Sequence, residues 1–299
     1  MSAPALVLAG HGSRDDDGAT ELLALADRVR DRVRPGRHVG AGFIELSPPP
    51  LSAALDEAAA VASQVVVVPV VLLGAGHAKT DIPASVTAAR RRSPGVTFTY
   101  GAPLGVDPEL LSLGAGRLDE AVPPGLRGET AVLVVGRGSG DPDANADLHK
   151  IARLLWEGRP WPLVEAAFIG ITGPRVPEGL ERCRRLGATR IVVLPWFLFT
   201  GVLERRIHEQ AAEFAAAAGI DVTVAGYLGP DPAVADLVLR RHDEALRGEV
   251  RMTCDLCVFR APMPGFEDKA GAPLRPHYHP DDPTTHDHVH DDMNVRGNG

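Results

Sequence analysis

Apolar positions along this chain fall into short unbroken runs rather than alternating ones. Gln64-Val65-Val66-Val67-Val68-Pro69-Val70-Val71 is apolar on both faces, as a strand buried inside a parallel sheet must be. In the first half, such runs predict strands at about 4–10, 38–44, 64–71 and 96–101. The longer segments between them carry helical periodicity and predict helices at about 17–33, 51–62, 81–92 and 107–121. Strand–helix alternation of this kind implies right-handed βαβ crossovers and an open parallel sheet.

The pattern then recurs, with strands near 130–136, 163–169, 190–197 and 221–226. Leu6-Val7-Leu8-Ala9-Gly10-His11-Gly12-Ser13 matches Val132-Leu133-Val134-Val135-Gly136-Arg137-Gly138-Ser139. Phe43-Ile44 matches Phe168-Ile169, and Gly105-Val106-Asp107-Pro108 matches Gly229-Pro230-Asp231-Pro232. The offset stays near 125 residues, a domain-sized duplication rather than a solenoid period. The join lies near Val122-Pro123-Pro124-Gly125, which disfavours regular structure. The expected fold is therefore α/β: two similar lobes, 1–124 and 125–247, each an open parallel sheet flanked by helices. An irregular Cys- and His-rich tail, 248–299, follows them; it is dominated by Pro, Gly, Asp and His and reads as mostly disordered.

Composition adds exclusions. With 44% hydrophobic residues, the 299-residue chain can bury real cores. Its 39 acidic against 31 basic residues, a net charge of −8, argue against a sequence-independent nucleic-acid binder. The tail from Gly248 holds nine acidic and five basic residues, so the body is only mildly acidic and leaves room for a local basic pocket. No apolar stretch approaches the ~20 residues that cross a bilayer, and the first residues lack a basic n-region. Three cysteines do not make a disulfide framework. A soluble cytoplasmic protein without membrane contact is expected.

In an open parallel sheet, ligands bind beyond the carboxyl ends of the strands. Three reactive side chains follow three such ends in the first half: His11 after strand one, Glu45 after strand two and His77 after strand three. Two imidazoles and a carboxylate on one rim can hold a divalent metal or move protons near neutral pH. The second half has Arg137, Gly170 and Leu203 at the matching places, so the scaffold repeats and the chemistry does not. One catalytic and one accessory lobe is the simplest account. Gly10 and Gly12 permit a tight turn, and Ser13 with the amides after it suits an anion at a helix start. The GHGS sequence is not a dinucleotide fingerprint.

Three motifs together resemble those of the class II chelatases, specifically the sirohydrochlorin chelatases in their long two-repeat form. They are Leu6-Val7-Leu8-Ala9-Gly10-His11-Gly12-Ser13-Arg14, Phe43-Ile44-Glu45-Leu46-Ser47-Pro48-Pro49, and Val68-Pro69 through Gly76-His77-Ala78-Lys79-Thr80-Asp81-Ile82-Pro83. The resemblance covers about residues 5–247. It implies two α/β lobes facing each other across a cleft, and insertion of Co²⁺ or Fe²⁺ into a tetrapyrrole for cobalamin or sirohaem synthesis. His11 and His77 would bind the metal and Glu45 would assist deprotonation. Neutral imidazoles hold either metal with moderate affinity, so the sequence does not choose between them. Asp81 is expected to cap the helix at Ile82-Pro83, with orientation of His77 or contact with substrate as its other roles. A polycarboxylate substrate calls for cleft arginines, with Arg137 first, then Arg14, Arg175, Arg205 and Arg206; Ser13, Arg14 and Arg137 form the expected substrate-binding set.

The tail adds Met252-Thr253-Cys254-Asp255-Leu256-Cys257. Long members of the resembled family carry a similar motif linked to an iron–sulfur cluster. Two thiolates cannot complete a four-cysteine set, so two chains would share it in a homodimer, with zinc or free thiols as the alternatives. Cys183 reads as a lone thiol on a helix. His277, His279, His286, His288 and His290 form a tract that either collects metal loosely or has no role. Two other functions compete: a histidine-phosphatase-like enzyme using His11 as nucleophile, and a non-catalytic metal-delivery protein.

Overall fold

The computed structural model describes residues 3–13 and 15–249. The first repeat runs β1 (Ala5–Gly10), α1 (Asp16–Arg30), β2 (Val39–Phe43), α2 (Leu51–Val61), β3 (Gln64–Pro69), α3 (Ile82–Arg92), β4 (Thr97–Tyr100) and α4 (Pro108–Ala121). A short 3-10 turn, Pro124–Glu129, leads into the second. That repeat runs β5 (Thr130–Gly136), α5 (Pro142–Trp156), β6 (Val164–Phe168), α6 (Val176–Arg185), β7 (Arg190–Pro195), α7 (Val202–Ala218), β8 (Asp221–Val224) and α8 (Pro232–Arg247). The expected doubled α/β architecture is present as two four-stranded parallel sheets, ordered β2-β1-β3-β4 and β6-β5-β7-β8.

The unbroken apolar runs have a direct cause. Leu6 and Leu8 of β1 face one core while Ala5, Val7 and Ala9 face another across the sheet, and β5 divides in the same way. Each buried Val or Leu side chain contributes ~1.5–3 kcal/mol, so both faces of these strands select apolar residues. Helix α1 stops at Arg30, three residues before the expected end, because Pro35-Gly36 follows in a turn with Gly36 at φ +89°.

The terminal helix of each repeat is exchanged. Helix α4 packs on α5 and β7 of the second sheet, and α8 packs on α1, β3 and β4 of the first. Matching arginines fasten them. Arg117 of α4 donates to the carbonyls of Tyr227 and Leu228 and pairs with Asp231 at 3.1 Å. Arg241 of α8 donates to the carbonyls of Pro103 and Leu104 and pairs with Asp107 at 3.0 Å. One hydrophobic core therefore runs through both lobes, joining Leu6 and Leu8 to Val132 and Val134 by way of Leu110 and Leu118 of α4 and Val234 and Leu237 of α8. This fixes the two sheets relative to each other and leaves a cleft between their carboxyl edges. Among the described residues, no helix is long and apolar enough to cross a membrane.

Candidate metal centre

Strand order brings the three reactive residues together. β1 lies between β2 and β3, so the loops after these strands are neighbours. The ladder continues past the strands: Ile44 N–H donates to the Gly10 carbonyl at 3.0 Å and Glu45 N–H to the His11 carbonyl at 3.1 Å. The His11 loop thus lies directly over the Glu45 loop. Gly12 makes this approach sterically allowed. It sits at φ +100°, and a Cβ there would fall 1.8 Å from the Glu45 carbonyl oxygen.

His11 Nε2 is 3.5 Å from Glu45 Oε1, and the His11 and His77 rings meet edge to face with centroids 4.1 Å apart. One ligand atom from each of His11, Glu45 and His77 lies within 4.8 Å of the others. A metal bonded ~2.0–2.2 Å from each would draw them slightly closer. The other ring nitrogens are occupied. His11 Nδ1 lies 3.2 Å from the Gly12 carbonyl, which assigns the proton to Nδ1 and a free lone pair to Nε2. His77 Nδ1 lies 2.7 Å from Asp81 Oδ2, which leaves Nε2 as its free ligand atom.

The Asp81 contact corrects an expectation. Helix α3 does not start from a capped free end at Ile82; it continues directly from a π-helical turn, His77–Asp81. Asp81 already has helical angles, φ −72° and ψ −42°, and its side chain makes no capping bond. Spacing of i, i+4 within that turn stacks Asp81 under His77, where its carboxylate is placed to orient the imidazole. A π-turn at such a site is a recurrent device for aiming a side chain.

The electrostatics favour the neutral form of His11. Burial lowers the His11 pKa below its ordinary value, and the neighbouring His77 and Arg137 lower it further; Glu45 and the Gly12 carbonyl act against them. Arg137 comes from the opposite lobe, at the end of β5, and lines the same cleft as His11 and His77. The cleft has a volume of about 500 Å³, with Leu72 and Leu73 on one wall and Phe197 and Phe199 on the other. A cleft with two apolar walls and a polar end accepts a flat, partly apolar ligand with charged groups.

The remaining sequence candidates are dispersed. The Ser13 hydroxyl accepts from the Asp15 amide, and its backbone is held by Ser47, so it braces the loop. Arg205 pairs with Asp15 across the lobes, while Arg175 and Arg206 are exposed away from the cleft. Cys183 is buried and its thiol is pushed up to about 12 by burial, consistent with an inert lone thiol. Arg14, Cys254, Cys257 and the tail histidines lie outside the described residues. Phe197, Phe199 and Asn145 were not foreseen as cleft residues. Their apolar or loop-bracing character resembles ordinary packing, and only the facing of two lobes reveals them.

Comparison with known proteins places the chain in a family. The CbiX family profile matches residues 5–121 and 131–245. A sirohydrochlorin cobaltochelatase of Priestia megaterium is 40% identical over 272 residues, 85% of this chain and 84% of that one. A sirohydrochlorin ferrochelatase of Bacillus subtilis (strain 168) is 31% identical, covering 80% of this chain and 91% of its own. Among solved structures, SirB from Bacillus subtilis with Fe³⁺ superposes with a TM-score of 0.70 at 31% identity, covering 81% of this chain and 95% of that one. With two copies of the family profile spanning both lobes, the chain belongs to the CbiX family of class II chelatases.

Proposed function

We infer that the protein inserts a divalent metal, cobalt or iron, into sirohydrochlorin. The observation that carries this reading is the convergence of His11, Glu45 and His77, with both imidazoles lining an apolar cleft. His11 and His77 bind the incoming ion through Nε2, and Glu45 offsets its charge. Water fills the other coordination positions, so the ion is held moderately and can leave. The macrocycle lies between the apolar walls with its pyrrole nitrogens toward the histidines. Transfer of M²⁺ releases two pyrrole N–H protons, so charge balances. Glu45, its side chain half exposed, accepts a proton and returns it to solvent before the second is released. Arg137 faces substrate carboxylates from the second lobe and adds to burial and His77 in lowering the His11 pKa. The first lobe is then catalytic and the second accessory. Cobalt and iron both suit this donor set, and relatives bearing either name are similar to this chain.

The test is metal insertion by purified protein supplied with sirohydrochlorin and Co²⁺ or Fe²⁺, followed by absorbance. His11→Ala and His77→Ala are expected to lower the rate at least ~100-fold, as loss of a directly acting group does, without a change in melting temperature. Both residues are partly exposed and belong to no core. A phosphoenzyme trapped on His11, or insertion that survives both substitutions, overturns the reading.

A further inference from the structure

The duplication pairs the two edges of the cleft residue for residue, and the edges are not closed alike. Asp15 and Asp141 are N-caps of α1 and α5, 126 residues apart; Lys79 and Arg205 differ by the same 126. Each cation crosses to the opposite lobe and pairs with the N-cap aspartate there, Arg205 with Asp15 and Lys79 with Asp141.

On the Arg205 edge the lobes are sealed. Glu21 accepts the Thr200 amide at 2.8 Å and the Tyr227 hydroxyl at 2.5 Å. Gly18 lies so close beneath Thr200 that a Cβ would come 2.8 Å from its carbonyl oxygen. On the Lys79 edge these ties are missing. Asp147 stands where Glu21 stands and, among the described residues, makes no hydrogen bond to the first lobe. Ala144 replaces Gly18 and lines open cleft, as do Gly76, Thr80 and Asn145. The ties across this edge are the Lys79 ammonium contacts, 2.6 Å to Asp141 and 3.4 Å to Asp143. That side chain is half exposed, and exposed pairs of this kind are weak and exchange readily. Lys79 also sits two residues from His77, on the same π-turn.

We propose that the macrocycle enters along the Lys79 edge, and that Lys79 exchanges partners as it does so. Its ammonium leaves Asp141 and Asp143 and pairs with a carboxylate of the tetrapyrrole, which makes it a positioning residue for substrate. This rests on the chelatase reading for the class of ligand, a polycarboxylate macrocycle. The Arg205 edge is the fixed side about which the ligand is seated.

The experiment is equilibrium binding of uroporphyrin, a polycarboxylate porphyrin, to the full chain by fluorescence titration at low salt. Lys79→Met removes the new partner and is expected to weaken binding by ~3–10-fold. Asp141→Asn with Asp143→Asn removes the old partners and is expected to tighten it by ~2–5-fold; asparagine keeps the α5 cap. Arg205→Met, on the sealed edge, is expected to lower the melting temperature rather than shift affinity. The decisive feature is opposite signs in these two variants with no matching loss in Arg205→Met, which removes the same charge from the sealed edge and so controls for the general effect of charge on a polyanion. Same-sign shifts, no shift in either variant, or a wild-type chain that does not bind uroporphyrin overturn the proposal. A wild-type chain that binds uroporphyrin yet inserts no metal into sirohydrochlorin fails the functional reading instead, with the Lys79 test still readable.

Discussion

The two lobes share one backbone down to its unusual features. Gly12 and Gly138 sit at φ +100° and +84°, and Leu46 and Ile171 at +66° and +63°. Glu45 N–H reaches the His11 carbonyl as Gly170 N–H reaches that of Arg137. The Ser13 backbone is held by the Ser47 hydroxyl; the same groups of Ser139 are held by the Asn145 amide. Against that identity of frame, the imidazoles and the carboxylate occur in the first lobe, and arginine, glycine and leucine stand in the second. The strand-end loops are thus kept by backbone needs that both lobes have, while the side chains they present are free to differ. On the proposed reading one lobe supplies the metal ligands and the other a cation, with apolar wall residues from both, an arrangement suited to a substrate with a metal-binding centre and an anionic rim.

The largest effect that sharpens this comparison is expected at the exchanged helices. Arg241 and Arg117 make the same bonds 124 residues apart, but in different surroundings. Arg241 is 6% exposed and bonded to Asp107 and Glu244, themselves 0% and 4% exposed. The Arg117 side chain is 23% exposed and the Asp231 side chain 24%. Asp107 keeps a second partner, Arg240 at 2.7 Å, but removing Arg241 leaves the buried Glu244 carboxylate without its arginine. Arg241→Met is therefore expected to cost ~3–5 kcal/mol, and Arg117→Met ~1–2 kcal/mol because water can reach its partner. Urea unfolding of both variants measures this; equal costs would mean that burial does not distinguish the two clasps.

Those clasps mark the limit of what was legible in the chain. The strands were readable because burial on both faces leaves a continuous apolar run, as in Val65–Val68. The site was readable because His11, Glu45 and His77 each follow such a run. The exchange was not, since the periodicity of α4 and α8 shows which face is apolar and says nothing of which sheet covers it. Arg117 and Arg241 repeat at a fixed offset, a signal that acquires meaning only with the carbonyls they reach. Asp81 was misjudged because its sequence position fits a helix cap as well as an i+4 partner. Only the π-turn, which carries the helix back to His77, separates the two. Lys79 was invisible as a cross-lobe partner because its acceptors lie 62 and 64 residues away.

The π-turn offers the next comparison. His77 and Asp81 stand where the second lobe has Leu203 and Ile207. If Asp81 serves to aim an imidazole, its loss should touch metal binding and spare the fold. Asp81→Asn is expected to lower Co²⁺ affinity by ~10–100-fold, the usual consequence of removing a carboxylate partner from a ligating histidine. Because Asp81 makes no capping bond, the melting temperature should move by less than ~2 °C, within the range of surface substitutions. Calorimetric titration with Co²⁺ decides it; unchanged affinity would reduce Asp81 to a solvated helix residue.

The smallest expected effect concerns a histidine remote from the site. His242 of α8 is fully buried, and its counterpart in α4, 124 residues earlier, is Leu118, equally buried. Among the described residues its Nε2 finds no hydrogen-bond partner, while Nδ1 lies 2.8 Å from Asp243 Oδ1. Burial holds its pKa below the ordinary 6.5, and Arg37 adds to this against the pull of Asp243. In the unfolded chain the same imidazole titrates near ~6.5. As pH falls through 6.5 the unfolded state gains a proton that the native state still refuses, so stability declines until the lowered folded pKa is passed. His11 contributes a decline of the same sign, so the difference between two proteins is the useful quantity. His242→Leu, which writes the first repeat's residue into the second, should gain about 1 kcal/mol at neutral pH by removing an unsatisfied buried nitrogen. It should also flatten the fall in melting temperature between about pH 7 and 5. A variant whose melting curve keeps the wild-type slope would show that His242 is protonated alike in the folded and unfolded chain, and that the two exchanged helices are equivalent at this position after all.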